Sequence, residues 1–238
     1  LAALTPAVTA SPAPASATPS AADGRSATPA SPPSVWLRYK LQRGILQGSG
    51  TIEWRHEASH YRLTLDAQVS VLGRFFSQQS EGGFDAHGVA PQRYTEKRLG
   101  RSERAVNFVR PSDGSAARIA FSARTDSAPL RPGAQDRLSW MAQLASVQAG
   151  LRNPPVGSTV SMDVASVSGE VRNWVFVLQR TEADGGRRWL REPAHERDMR
   201  VDVITDPARQ HWPTHVWLGE GDGDPLELTL QDLRSAAP

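Results

Sequence analysis

The sequence contains no cysteine, only two lysines and no run of 18 apolar residues. The missing cysteine excludes disulfide scaffolds, iron–sulfur clusters, cysteine-ligated zinc and a cysteine nucleophile. The missing apolar run predicts that the chain has no transmembrane segment. Charges of the two signs are nearly balanced, with 27 basic and 25 acidic residues, and no nucleic-acid partner is expected. The predominance of arginine over lysine is typical of a biased genome composition.

The first 34 residues differ in composition from the rest of the chain. Proline, alanine, serine and threonine occupy 28 of these 34 positions. Such a segment buries too little apolar surface to offset the entropy cost of ordering it. We therefore expect residues 1–34 to form a disordered tether and residues 35–238 a single β-rich domain. Because the sequence begins with Leu1, one interpretation is that a signal peptide or N-terminal membrane anchor has been removed, and the other is a functionless terminus.

Apolar and polar residues alternate with a period of two from residue 35 onward, which indicates strands with one buried face. Further runs of this kind are separated by residues that favour turns, such as Gly82-Gly83 and the 221–224 segment. Antiparallel sheets of about ten or more strands curl strongly or close. The sequence therefore predicts a mainly β fold, a half-barrel or partly closed barrel.

One segment has the period of a helix instead. Leu138, Met141 and Leu144 recur at intervals of three residues between Gly133 and Gly150. We predict one principal α-helix, over about 135–149, packed on the concave face of the sheet. The glycine at 150 and the prolines that follow are typical of a helix C-terminus.

The start of this predicted helix carries a distinctive motif, Ala134-Gln135-Asp136-Arg137-Leu138-Ser139. It resembles a motif of a bacterial domain of unknown function, family 3108. Weaker matches over residues 35–232 include Ser80-Glu81-Gly82 and the Leu190-Arg191-Glu192 segment. The chain departs from the family pattern at residues 202–207, where a strand resembling Glu-Val-Trp-Leu-Ala-Pro would be expected. Within the motif, we expect Gln135, Asp136, Arg137, Leu138 and Ser139 to have structural roles.

The resemblance implies an exported protein of Gram-negative bacteria, located in the periplasm or cell envelope, with no established activity. The architecture is also similar to that of the half-barrel carriers of lipids and lipoproteins in the periplasm. A lipid or a lipoprotein is therefore one expected partner, and another envelope protein is the alternative partner.

The main functional hypothesis is non-enzymatic binding of an apolar or amphipathic ligand, such as a lipid or lipoprotein acyl chain, in a cavity of the curved sheet. The alternative is a structural or protein-interaction module with a packed interior. Aromatic and apolar residues spread over most predicted elements are suited either to a core or to a cavity. The predicted cavity lining consists of Trp54, Phe76, Trp140, Met141, Leu144 and Trp174.

Catalytic and metal-binding signatures are weak. His195, His211 and His215 have no spacing that fixes a third metal ligand, so we predict no metal site and no cofactor. Glu192 and Glu196 are too general a pair to identify a glycan-acting enzyme, which is the third hypothesis. We assign no catalytic residue.

Overall fold

The computed structural model describes residues 31–69, 73–196 and 198–236. Most of the predicted tether, residues 1–30, lies outside this part of the chain. The described residues form one α-helix, α1 (Trp140–Gly150), a 3₁₀ helix (Pro207–Arg209) and fifteen strands. The strands are β1 (Val35–Arg43), β2 (Leu46–His56), β3 (Tyr61–Val69), β4 (Gly73–Asp85), β5 (Gly88–Arg98), β6 (Arg104–Val109), β7 (Arg118–Phe121), β8 (Ser127–Pro129), β9 (Gln135–Asp136), β10 (Thr159–Ala165), β11 (Val171–Thr181), β12 (Arg187–Arg191), β13 (Met199–Thr205), β14 (Pro213–Glu220) and β15 (Leu226–Ser235).

All fifteen strands belong to one curved sheet that does not close. Strands β1 to β8 form one antiparallel meander, and strands β10 to β15 form a second, which β9 extends by a short parallel pairing with β10. The first and last strands, β1 and β15, pair with each other and join the two meanders. The predicted fold class is confirmed: a mainly β, strongly curved sheet with one principal helix.

The alternation of residues in β1 decides which face is buried. Val35, Leu37 and Tyr39 are at most 1% exposed and point into the core, whereas the alternate residues point outward. Trp36, an aromatic residue on the outward parity, lies on the convex face beneath Arg234, whose guanidinium is 5.6 Å from the ring centroid. The period of two is therefore a reliable guide to the sheet faces even where a large aromatic residue interrupts it.

The helix begins five residues later than predicted. Gln135 and Asp136 are extended and pair with Val164 and Ala165, and the helix starts only at Trp140. Helical periodicity does not identify this boundary, because Leu138 fits the helical period although it lies in the three-residue turn between β9 and the helix. Eight of the eleven helical residues are buried, on all sides of the helix, so α1 lies within the curved sheet as an internal element.

The prediction of a turn at Gly82-Gly83 was wrong, because both glycines lie within β4. A β-bulge occurs in the pairing of β4 with β5 between Glu81 and Gly82. A Cβ atom on Gly82 would lie 2.3 Å from the carbonyl oxygen of Ala90. Glycine is therefore required here by the close approach of two backbones rather than by a turn.

The antiparallel order gives the molecule two distinct ends. Both described chain termini, near Ser34 and Ala236, lie at one end, which we call the termini end, where the Ala236 amide donates to the Ser34 carbonyl at 3.0 Å. The turns after β1, β5, β10 and β12 lie at the opposite end, which we call the pocket end.

Candidate functional site: an arginine-rich pocket

A pocket of about 530 Å³ lies at the pocket end, between the two meanders. The first meander contributes the end of β5, the β5–β6 turn and the start of β6. The second contributes the β10–β11 turn and the start of β13. The lining residues are Glu96, Arg98, Arg101, Ser102, Arg104, Arg137, Ser166, Val167, Ser168, Glu170, Arg172, Asp198 and Met199. The volume is in the range of pockets that bind small organic ligands.

Arginine dominates the charge of this pocket. Five arginines and three carboxylates line it, which leaves two positive charges in excess. Arg98 pairs with Glu96 at 2.9 Å, and Arg172 pairs with Glu170 at 3.0 Å. In the described part of the chain, the side chains of Arg101 and Arg104 form no ion pair within 4.0 Å.

A buried ion pair lies at the wall of the pocket. The Arg191 guanidinium donates to the Asp198 carboxylate at 2.5 Å, and both side chains are at most 3% exposed. Burial by itself would raise the pKa of Asp198, but hydrogen bonds from Arg191, from the Ala194 amide and from the Met199 amide outweigh it and lower the pKa to about 2. Asp198 is thus a permanent carboxylate at neutral pH, and it fixes the position of Arg191.

Arg137, from the 134–139 motif, also lines this pocket. Its guanidinium carbon lies 5.2 Å from the ring centroid of Trp174, and Arg191 lies at the same distance from that ring. Arg137 also donates to the sulfur of Met199 at 3.2 Å. The contact between a guanidinium and an aromatic face orients the cation.

The adjacent Asp136 is a structural residue, as predicted for the motif. Its carboxylate accepts hydrogen bonds from the Leu138 and Ser139 amides at 2.8 and 2.7 Å and from the Ser80 hydroxyl at 2.6 Å. Burial raises the pKa of Asp136, although these hydrogen bonds oppose the shift. The carboxylate organises the turn before α1 and links it to β4, and Arg137 projects from this turn.

The neighbouring residue of the motif has an equivalent role. The Gln135 side-chain amide donates to the Val89 carbonyl at 2.7 Å, and the Gln143 side-chain carbonyl accepts from the Val89 amide at 2.8 Å. Leu138 is buried in the core, and Ser139 accepts from the Asp136 amide through its hydroxyl at 2.9 Å. The motif therefore joins the second meander and the helix to β4 and β5 of the first meander.

Of the six residues predicted to line an internal cavity, five are buried in the hydrophobic core and one packs against it, and none of the six lines the pocket. Trp54, Trp140 and Trp174 are at most 1% exposed, and Met141 and Leu144 are buried beside them. Trp140 stacks on Phe176 with 5.5 Å between ring centroids. The sixth residue, Phe76, is partly buried and contacts Arg98, whose guanidinium lies 5.6 Å from its ring. The assignment of these six residues to a ligand stays a prediction.

The three histidines contact different partners. His195 contacts Arg172 beside the pocket. Burial lowers the pKa of His211, and it lowers the pKa of His215, whose ring is 3.7 Å from that of Trp217. No group of three or more histidine, aspartate or glutamate side chains within the described ranges is placed to hold a metal ion. Glu192, one of the two glutamates considered for glycan chemistry, pairs with Arg200 at 2.9 Å.

The pocket itself was not predicted from the sequence, because its residues come from four segments that are distant in the chain. One signal was present: Arg98, Arg101 and Arg104 recur every three residues around a hairpin turn, with a single glutamate among them. Because biased genome composition explains a high arginine content throughout the chain, this local concentration does not by itself indicate a binding site.

The comparisons with known proteins give neither a family nor an activity. No family model and no curated protein matches the sequence. A similar solved structure is the crystal structure of a β-barrel-like protein, of domain of unknown function family 1849, from Brucella abortus. It has a TM-score of 0.42 and 11% sequence identity, over 88% of this chain and 100% of that chain.

No helix in the described ranges has the length and apolar character needed to cross a bilayer. Membership in family 3108 stays a prediction.

Proposed function

We propose that this chain is a non-enzymatic binding domain of the bacterial cell envelope that holds the anionic group of an amphipathic ligand, such as a lipid or a lipoprotein, in the arginine-rich pocket. The observation that carries the proposal is the pocket between the two meanders, with five arginines against three carboxylates. The envelope location and membership in family 3108 belong to the proposal and rest on the motif at residues 134–139.

The electrostatics of the pocket favour an anion. Guanidinium groups present planar donors that match carboxylate and phosphate oxygens, and low-dielectric walls strengthen the attraction. Three serine hydroxyls, from Ser102, Ser166 and Ser168, add neutral donors to the same space. No nucleophile and base pair lies among the lining residues, so the arrangement is suited to binding rather than to bond cleavage.

The packed interior limits where the apolar part of the ligand can bind. Five tryptophans, including Trp54 and Trp189, are fully buried, and eight of the eleven residues of α1 are buried as well. An acyl chain would need to displace these side chains, which pack as an ordinary core does. We therefore assign the charged part of the ligand to the pocket and leave its apolar part near Val167 and Met199 at the pocket wall.

The packed interior also favours the second candidate, a protein-interaction module of the envelope. In that case the arginines would contact an acidic surface of a partner protein rather than a small ligand. The two candidates differ in whether a small anionic amphiphile is sufficient for binding.

Calorimetric titration of the full chain with octyl sulfate and octyl phosphate, each below its micellar concentration, tests the proposal. We expect binding of at least one of the two, weakened about tenfold or more in the double variant Arg101→Gln/Arg104→Gln. The matched control Arg118→Gln/Arg209→Gln removes two exposed arginines at the termini end and should bind as the parent does. Equal weakening in both double variants, or no binding by the parent, would contradict the proposal.

A further inference from the structure

We infer that the arginine-rich pocket selects a dianionic phosphate monoester over a monoanion of the same shape. This inference rests on the proposed function and specifies the ligand class of the same site. Its basis is the arrangement of Arg101 and Arg104, the hydroxyl groups and the two walls of the pocket.

The first observation is the amount of uncompensated charge. Glu96 and Glu170 each pair with an arginine of the lining, and Asp198 is occupied by Arg191. Arg101 and Arg104 lie at the pocket with no ion pair within 4.0 Å among residues 31–69, 73–196 and 198–236. One anionic charge would neutralise only one of these two guanidinium groups. A phosphate monoester carries close to two negative charges above its second pKa of about 6.

The second observation is that the arginines approach from both meanders. Arg101 and Arg104 belong to the β5–β6 turn and the start of β6, whereas Arg172 belongs to β11. Arg172 is held by two hydrogen bonds to Glu170, at 3.0 and 3.3 Å, and lies 3.8 Å from Asp198. A tetrahedral group with three free oxygens can contact guanidinium groups on two walls, whereas a planar carboxylate has only two oxygens to offer.

The third observation concerns the neutral donors and the remaining space. The Ser166 and Ser168 hydroxyls lie 2.6 Å apart on the β10–β11 turn, and Ser102 lies on the β5–β6 turn of the other meander. The pocket volume of about 530 Å³ exceeds the size of a phosphate group, so the organic part of the ester also fits. The phosphate monoester can belong to a soluble metabolite or to a lipid headgroup.

The test compares octyl phosphate with octyl sulfate, which has the same tail and one permanent charge, at pH 8 and pH 5. We expect the full chain to bind octyl phosphate about tenfold or more tightly than octyl sulfate at pH 8, and to lose this preference at pH 5, where the phosphate is a monoanion. A change of pH can also alter the charge of the protein itself. The sulfate ester, whose charge is constant, measures that protein contribution directly.

The outcomes separate the inference from the proposed function. Equal affinities for the two esters at both pH values, still dependent on Arg101 and Arg104, would overturn the dianion inference and leave the proposed function intact. No binding of either ester would overturn both. Competition by methyl phosphate would support a soluble phosphate monoester. Binding to vesicles that contain phosphatidic acid but not to those that contain phosphatidylglycerol, without competition by methyl phosphate, would support a lipid headgroup.

Discussion

Asp198 and Arg191 form a charge pair at the pocket wall that is almost completely removed from solvent. A buried charge that loses its partner keeps its desolvation cost, so breaking such a pair is much more costly than breaking a surface pair. We expect Arg191→Met to lower the free energy of unfolding by about 3–5 kcal/mol at pH 7. Urea denaturation at pH 7 measures this loss.

The control for this variant is Arg200→Met. Arg200 pairs with Glu192, but the two side chains are 52% and 58% exposed, and exposed pairs of this kind contribute less than about 1 kcal/mol. A loss in Arg191→Met no larger than that in Arg200→Met would show that the buried pair does not support the fold.

The same pair makes a prediction about pH. Because the pKa of Asp198 is about 2 in the folded protein and about 3.9 in an unfolded chain, its contribution to stability is present above pH 4 and is lost as the pH falls towards 2. The difference in unfolding free energy between the parent and Arg191→Met should therefore be smaller at pH 3 than at pH 7. A difference that does not change with pH would contradict this assignment.

At the scale of single residues, burial was more predictable than function. Trp54 and Leu144 were expected to face inward, and both are fully buried. Alternation and helical period report only which face a residue occupies. They cannot report that Arg104 and Arg172, 68 positions apart, line one pocket, because this depends on how the two meanders curl towards each other.

Among the secondary-structure elements, β4 has the most restrictive backbone. Alanine at Gly82 would place its Cβ atom against the Ala90 carbonyl oxygen, with no flexible side chain available to move. We expect Gly82→Ala to lower the free energy of unfolding by about 1–3 kcal/mol, as overpacking does. Gly219→Ala is the control. Gly219 is also in a strand, but a Cβ atom there would lie 3.9 Å from the nearest atom, the Cβ of Pro225. Chemical denaturation of both variants tests this, and equal stabilities would show that the bulge can shift at no cost.

Elements with a long, regular pattern were predicted well, and short ones were not. Strands such as β1 and β3 repeat the period of two over nine residues. By contrast, β8 has three residues and β9 has two, which is too short for any period to be visible. Their pairing is set by neighbouring strands and by the buried side chains of Gln135 and Asp136, so only tertiary contacts specify these elements.

For the whole molecule, the important feature is that the first and last strands are neighbours in the middle of the sheet. A circular permutant of residues 34–236 that joins Ala236 to Ser34 through a short linker should fold, because the two residues already share a hydrogen bond. New termini between Asp113 and Gly114 would lie in an exposed loop. We expect its melting temperature to be within about 4 °C of that of unpermuted residues 34–236, as for a change of about 1 kcal/mol.

The control permutant opens the chain between Leu144 and Ala145, both fully buried in α1, and should not fold. Similar melting temperatures for the two permutants would show that the helix is not required for the core. Circular dichroism during heating distinguishes these outcomes.

The pairing of β1 with β15 also determines how the protein would respond to force. Val35 lies opposite Ser235 at the start of this antiparallel pair, so tension applied between the two termini would load its hydrogen bonds one at a time, in an unzipping geometry. In a shearing geometry many bonds would carry the load together. The domain should therefore yield at low force along this axis, and its two meanders should separate before either of them unravels.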